Sequence, residues 1–261
     1  DKIERDIYVY RSYVAQGKYN IVLEEIKESS HPSLQPVRIL ATYLSKEESR
    51  EACLSKLKEW MSDGVTAANP HLQIIAATIH CQEQNFEEAM RSVYQNNTLE
   101  GIAVLIQIYL KINRVDQAEK ELKRLQQTDD DATLSQLASA WVSIAVGGDR
   151  VQEAITTLQE LIDKYGPSCY LLNALGACHL QLKRFSEAEK LLLQALEKNS
   201  NDVDTLINLI SCYQQEGKPT EVIQRTLTQL RSIAPKHPWV KSFQKMEEDF
   251  DKFQGYFATS A

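Results

Sequence analysis

Residues 175–200, "LGACHLQLKRFSEAEKLLLQALEKNS", read as two helical stretches joined at "LKRFS". The fold turns on whether this hairpin stands alone or is one copy of a repeated unit. Ala188, in "SEAEKLLL", is the anchor: thirty-four residues upstream lies Ala154 in "VQEAITTL", and thirty-four downstream lies Val222 in "PTEVIQRT". The same step links Trp141, Leu175 and Leu209, then Leu158 and Leu192, then Ile162, Leu196 and Leu230.

A 34-residue period in helical sequence is the mark of tetratricopeptide repeats. Each unit has a large apolar residue, an aromatic four positions later, and a small residue opening its second helix. The small residue is expected where helices A and B cross closely. A methyl group fits there, and a larger side chain costs about 1–3 kcal/mol through overpacking. Gly17 in "YVAQGKYNIVLEEI" and Gly217 in "YQQEGKPTEV" are expected to end helix A in the left-handed C-cap manner. The repeat therefore reaches the start of the chain, and the hairpin is a copy.

The middle units drift. Ala52, Ala89 and Ala118 each open a helix B at irregular spacing, as insertions in the turns of a solenoid produce. The unit near 70–98 is expected to have a shortened helix B ending by "NNT". "SSHPS" at 29–33, "ANP" at 68–70 and "YGPS" at 165–168 read as turns between repeats. The expectation is one all-α domain over 1–261: a tetratricopeptide-like solenoid of about seven helix pairs. A last helix over about 237–255 closes it, beginning after Pro235 and Pro238. Trp239, Val240, Phe243, Met246 and Phe250 would cap the final pair. About seven units can curl far enough to encircle a partner segment in a ring-like superhelix.

Composition narrows the function classes. A net charge of −7 and a pI near 5.4 argue against nucleic acid and against docking on an anionic leaflet, both of which need clustered Lys and Arg. No apolar run is long enough for direct membrane insertion. Five widely spaced cysteines (53, 81, 169, 178 and 212) without C-x-x-C indicate neither a disulfide framework nor a zinc site, and suit a reducing, cytoplasmic compartment. The opening "DKIERDIYVY" lacks Met, so upstream residues are expected to have been removed.

No catalytic, cofactor or metal site emerges. Asp129-Asp130-Asp131 lacks the alternation of a calcium loop and reads as a helix N-cap. His80-Cys81 and Cys178-His179 are helix neighbours pointing about 100° apart, so neither pair chelates alone; both histidines fall on the aromatic packing position. Gly147-Gly148 follows no strand and reads as an A-to-B turn. Asn96-Asn97-Thr98 matches a glycosylation acceptor by chance. The chain is expected not to be an enzyme and to need no cofactor.

Repeat stacks present their A helices on a concave face. Counting along the units places Val14, Leu44, Ile74, Leu110, Tyr170 and Asn173 there as candidate partner contacts, with Gln107, Ser139, Ser143 and Asn208 nearby. This apolar and neutral-polar face suits an extended or hairpin segment of another protein. A chaperone-type peptide adaptor is the alternative. Its carboxylate clamp uses Lys, Asn and Arg; Asn208 matches, but Ala177 and Pro238 stand where basic partners are needed. A scaffold of another complex is a third reading.

Three stretches carry a more specific likeness: "LEEIKESSHPSLQPVRILATYL" (23–44), "AEKELKRLQQTDDDATLSQLASAWVSIAVGG" (118–148) and "DVDTLINLISCYQQEGKPTEV" (202–222). With them the whole chain resembles the epsilon subunit family of coatomer, which has one further N-terminal helical segment. The resemblance implies a structural coat protein that clamps the C-terminal domain of the coatomer alpha subunit and meets other coatomer subunits indirectly. It implies a cytoplasmic protein, peripheral on Golgi membranes and on vesicles returning from the Golgi to the endoplasmic reticulum.

Overall fold

The computed structural model describes the backbone of residues 2–258 and the side chains of residues 2–254. Among these residues the chain forms sixteen α-helices and two short 3-10 turns, with no strand. Its contacts divide it into two compact units, Asp1–Ala145 and Val146–Ala261. In the first, α1 (Lys2–Ala15) pairs with α2 (Tyr19–Glu25) and α3 (Gln35–Ser45) with α4 (Arg50–Ser62). A single turn, α5 (Gly64–Ala67), precedes α6 (Pro70–Gln82) and its partner α7 (Phe86–Val93). Then come α8 (Leu99–Lys111), α9 (Val115–Thr128) and α10 (Thr133–Val146). The second unit holds α11 (Arg150–Tyr165), α12 (Cys169–Gln181), α13 (Phe185–Lys198), α14 (Val203–Glu216), α15 (Thr220–Ile233) and α16 (Pro238–Ala258). The helix order is that of seven A/B pairs and a terminal helix, and α7 ends at Val93, before "NNT", as its sequence suggested.

The two kinds of turn are built differently. Several A helices start on a side-chain cap. Asn69 caps α6, Thr98 caps α8, Ser168 caps α12 and Asp202 caps α14, each accepting from a backbone N–H of the first turn. Such caps contribute about 1 kcal/mol each. Five B helices follow a residue with positive φ, Gly17 (72°), Gln84 (58°), Asn113 (58°), Lys183 (58°) and Gly217 (69°), and α7 is in addition capped by Asn85. At all five, two backbone bonds close the preceding helix, as when Lys183 N donates to Leu180 O and Arg184 N to His179 O. Gly147 and Gly148 also have positive φ, between α10 and α11.

The core of each pair centres on the fourth residue of helix B. Val22, Ala89, Ala118 and Ala188 hold this place with no exposed surface, and Ala154, fifth in α11, is 1% exposed. Ala52 does not hold it. The fourth residue of α4 is Cys53, which is buried with Leu57, while Ala52 is the third and lies exposed. The 3-10 turn Glu47–Ser49 replaces the usual left-handed turn and moves the register by one. The last pair shifts too. Ile223, not Val222, packs beside buried Leu227 and Leu230, because Pro219 adds one residue to the turn ahead of α15. In the same registers Leu161 and Ala195 are buried, with Ile162 and Leu196 only half-buried.

Two glycine contacts show how near the backbones come. A Cβ on Gly176 of α12 would lie 2.8 Å from Leu192 Cδ2 on α13. A Cβ on Gly101 of α8 would lie 2.7 Å from Asn96 Cβ. Asn96 is 4% exposed, and its amide donates to Pro70 O and accepts from the Thr98 N–H and hydroxyl. Within the N-N-T triplet Asn96 is thus a buried turn residue held by hydrogen bonds, while Asn97 and Thr98 are exposed. Asp129 likewise turns its carboxylate onto its own backbone, accepting from Ala132 N ahead of α10.

The terminal helix caps the final pair through its first half only. Val240 is 3% exposed, and Trp239 and Phe243 stack at 5.1 Å over a core of Leu206, Ile210, Leu227 and Leu230. Met246 and Phe250, expected to complete the cap, are 59% and 69% exposed. They line a shallow groove shared with Arg231 of α15 rather than packing into the core.

His71, His80 and His179 all titrate below the ordinary histidine value of 6.5, chiefly because burial penalises the charged ring. Arg11 adds to this at His71 and Arg184 at His179, while nearby glutamates oppose it. The unfolded chain therefore takes up protons first as pH falls. Stability is fully present above about 6.5, the unfolded-state value, and declines as pH drops through it towards the folded values. The melting temperature should be level near neutrality and fall on acidification to about pH 5, with a shallower fall in His179→Gln; an unchanged slope in that variant would remove His179 as a cause. Ala188→Leu should destabilise by about 1–3 kcal/mol, seen as a lower denaturant midpoint, and an unchanged midpoint would contradict the close A/B approach. Gly101→Ala should cost a similar amount, about 1–3 kcal/mol, because Asn96 must leave its hydrogen bonds. Amide exchange at Thr98 reads that loss directly.

Candidate protein-binding faces on the A helices

In the first unit the A helices frame a groove of about 770 Å³ lined by α1, α6 and the start of α8. Its wall is polar at one level and apolar at the next. Arg11 of α1 donates to both carboxylate oxygens of Glu100 on α8, one bond at 2.9 Å. That carboxylate holds the guanidinium above its ordinary value, although burial works the other way. Arg11 also lies 5.8 Å over the Tyr8 ring, and Tyr8 meets the His71 ring edge-on at 5.7 Å. Ile74, one helical turn beyond His71 on α6, reaches the groove with Leu99 and Leu134. His71 Nδ1 has no hydrogen-bond partner within the chain, and its depressed pKa keeps the ring neutral at neutral pH. A groove of this kind takes an apolar side chain and offers hydrogen-bonding groups at its rim.

In the second unit the A-helix face is made by α12 and α14. Asn208 Nδ2 donates to Asn173 Oδ1 at 2.9 Å, tying the two helices side by side. Tyr170, one turn before Asn173, is 53% exposed. An exposed tyrosine beside an amide pair presents a large ring at low entropic cost together with polar partners, a combination common at protein interfaces.

The six candidate contacts therefore differ in kind. Tyr170 and Asn173 share one face, and Ile74 lines the groove although it is only 4% exposed. Val14 is 7% exposed and belongs to the core of the first two pairs. Leu44 packs against that same core, and Leu110 against the core of α8, α9 and α10. Gln107 is exposed, whereas Ser143 is buried. Sequence counting missed Tyr8, Arg11, His71 and Glu100. Arg11 and Glu100 are 89 residues apart, and no local pattern marks them as partners. Their only signal is a charge placed on an A helix where counting expects the inward face. The Asn208 amide, the one match to a carboxylate clamp, is engaged by Asn173.

All five cysteines are free thiols. Burial pushes Cys178 and Cys212 up to about 11, so both are protonated packing groups at neutral pH. Among the described residues, no three His, Cys, Asp or Glu side chains gather to hold a metal, and no helix is long and apolar enough to cross a membrane.

Among solved structures, a tetratricopeptide repeat protein from Parabacteroides merdae superposes with a TM-score of 0.69 at 10% identity, over 93% of this chain and 97% of its own. A chain of the APC/C hetero-tetramer Cut9–Hcn1 gives 0.65 at 17% identity, over 90% of this chain and 47% of its own. At such identities the likeness establishes the tetratricopeptide-like solenoid fold and nothing further. Sequence relatives are more specific. Coatomer subunit epsilon of Dictyostelium discoideum is 41% identical over 262 residues, 98% of this chain and 87% of its own. Coatomer subunit epsilon-1 of Oryza sativa subsp. japonica is 43% identical over 249 residues, 95% and 85%, and the Caenorhabditis elegans epsilon subunit is 34% identical over 253, 97% and 86%. The family model described as coatomer epsilon subunit matches residues 1–258. With a helical-repeat fold, A-helix faces suited to protein partners, and this similarity along nearly its whole length, the chain belongs to the coatomer epsilon subunit family.

Proposed function

We propose that the chain is a structural, non-catalytic subunit of the coatomer coat that binds the C-terminal domain of the alpha subunit through its A-helix faces. In this reading it stabilises that domain for retrograde transport from the Golgi to the endoplasmic reticulum. It reaches Golgi membranes and vesicles as part of the coat, meeting other coatomer subunits indirectly. Membership of the epsilon family over nearly the whole chain is the observation that supports this most. The tetratricopeptide-like architecture agrees with it, since such stacks work by offering extended faces to other proteins.

The contacts proposed are Tyr170 and Asn173 in the second unit, Ile74 in the groove of the first, and Leu44 and Leu110 in the first unit. Val14 acts by holding α1 in place, because it is a core residue. Tyr170 carries the greatest exposed area of the six, 53% of its surface, and is the leading candidate for a hot spot.

Mixing the chain with the coatomer alpha C-terminal domain should give a one-to-one complex in size-exclusion chromatography with light scattering. Tyr170→Asp should weaken that complex at least about tenfold, roughly 1.4 kcal/mol, while the melting curve stays in place because the side chain is on the surface. A complex indifferent to Tyr170→Asp would remove that face from the interface. No complex from a folded, helical chain would leave the alpha subunit without support as the partner.

A further inference from the structure

Beyond Phe243, α16 carries an apolar seam that no other described residue covers. Trp239, Phe243, Met246, Phe250 and Phe253 follow one another at steps of four, three, four and three, the a/d spacing of a coiled-coil helix. The first two are packed on the last helix pair, and the next three are 59%, 69% and 62% exposed. Three large exposed apolar side chains on one stripe of one helix are a partner-binding feature in a soluble context.

The residues flanking the seam indicate what covers it. In heptad terms the e and g positions are Val240, Ser242, Glu247, Asp249 and Gln254, so none is basic. Glu247 pairs with Arg231, and Asp249 lies 3.4 Å from Lys252 in an exposed, weak pair. Lys245 and Lys252 sit one step further from the seam, at c. A second copy of α16 would bring Glu, Asp, Gln and Ser against the same set in either orientation, and Arg231 of α15, which reaches this stretch, is already engaged by Glu247. An anionic lipid surface would meet Glu247, Glu248, Asp249 and Asp251 along this stretch. A helix with apolar a and d residues and Lys or Arg at e and g satisfies both the seam and its acidic margins.

We infer that the second half of α16 is a docking site for a basic amphipathic helix of another protein, which pairs with it as a short coiled coil. This site is separate from the A-helix faces, and it does not depend on the alpha subunit being their partner.

The probe is a synthetic 21-residue helix with Leu at a and d and Lys at e and g, compared with the same peptide carrying Glu at e and g. Binding to the full chain is followed by fluorescence anisotropy at low salt. The Lys-flanked peptide should bind at least about tenfold more tightly than the Glu-flanked one, and added salt should weaken it. Phe250→Ser with Phe253→Ser should abolish this binding without shifting the main melting transition, since both side chains lie outside the repeat core. Equal binding of the two peptides, no binding, or binding that survives the double variant overturns the inference. So does a wild-type dimer in light scattering that the double variant dissolves, or binding to phosphatidylcholine vesicles lost in the same variant. An alpha-domain complex that forms with wild type and fails with the double variant would make the seam part of that interface and overturn a separate site. An alpha complex kept while the Lys peptide is lost supports it.

Discussion

Helices A and B of a pair approach most closely where the residues at their crossing are small, and much of the rest of this structure follows from that crossing. At Gly176 the space a Cβ would need is filled by Leu192, and Ala188, fourth in α13, has no exposed surface. Six of the seven pairs meet the requirement at the fourth residue of helix B and α11 at its fifth, using Val, Cys, Ala or Ile as the local distance allows. A fixed crossing point fixes which residues fall one and two turns later, so Leu192 and Ala195 repeat Leu158 and Leu161. Each of the large ones then contributes about 1.5–3 kcal/mol by burial. The stack is thus a chain of equivalent nearest-neighbour contacts, which lets the units vary in length without losing the fold.

The connection into helix B is the second half of the same constraint. With two backbone bonds closing helix A, the residue between must be left-handed, and Gln84, Asn113 and Lys183 accept that conformation at about 1–2 kcal/mol each. Glycine relieves it at positions 17 and 217, and Gly147 and Gly148 take positive φ in the turn into α11. This explains what could be read from the chain in advance. The period, the number of pairs, the short α7 and the glycine turns were legible because apolar spacing and glycine leave a pattern. The one-residue shifts at Cys53 and Ile223 were not. An inserted 3-10 turn and an extra Pro219 change which neighbour faces inward while leaving an equally apolar sequence behind.

The faces available to partners were legible only in part, for a different reason. Counting along a helix identifies the side that points away from helix B, yet that side must also pack on the next A helix. Val14 and Tyr170 were equivalent by counting, and packing makes one a core residue and leaves the other exposed. The Arg11–Glu100 pair shows the limit of such counting. It joins α1 to α8 across the groove, and its existence depends on how four successive pairs stack. A half-buried ion pair at that place also fixes the rim of the groove, since removing one partner would leave the other charge desolvated.

A repeat array has to end, and its last helix normally presents a polar outer face so that the exposed edge stays soluble. The first half of α16 obeys this rule: Val240 and Phe243 go inward, and Lys241 and Lys245 face water. The second half departs from it, with an unbroken a/d seam continuing past the last residue the stack can bury. Local rules tend to be broken where something else compensates. Here the acidic margin of the seam supplies solubility to the free chain and opposes pairing with itself. The same margin leaves the apolar stripe open to a helix of opposite charge.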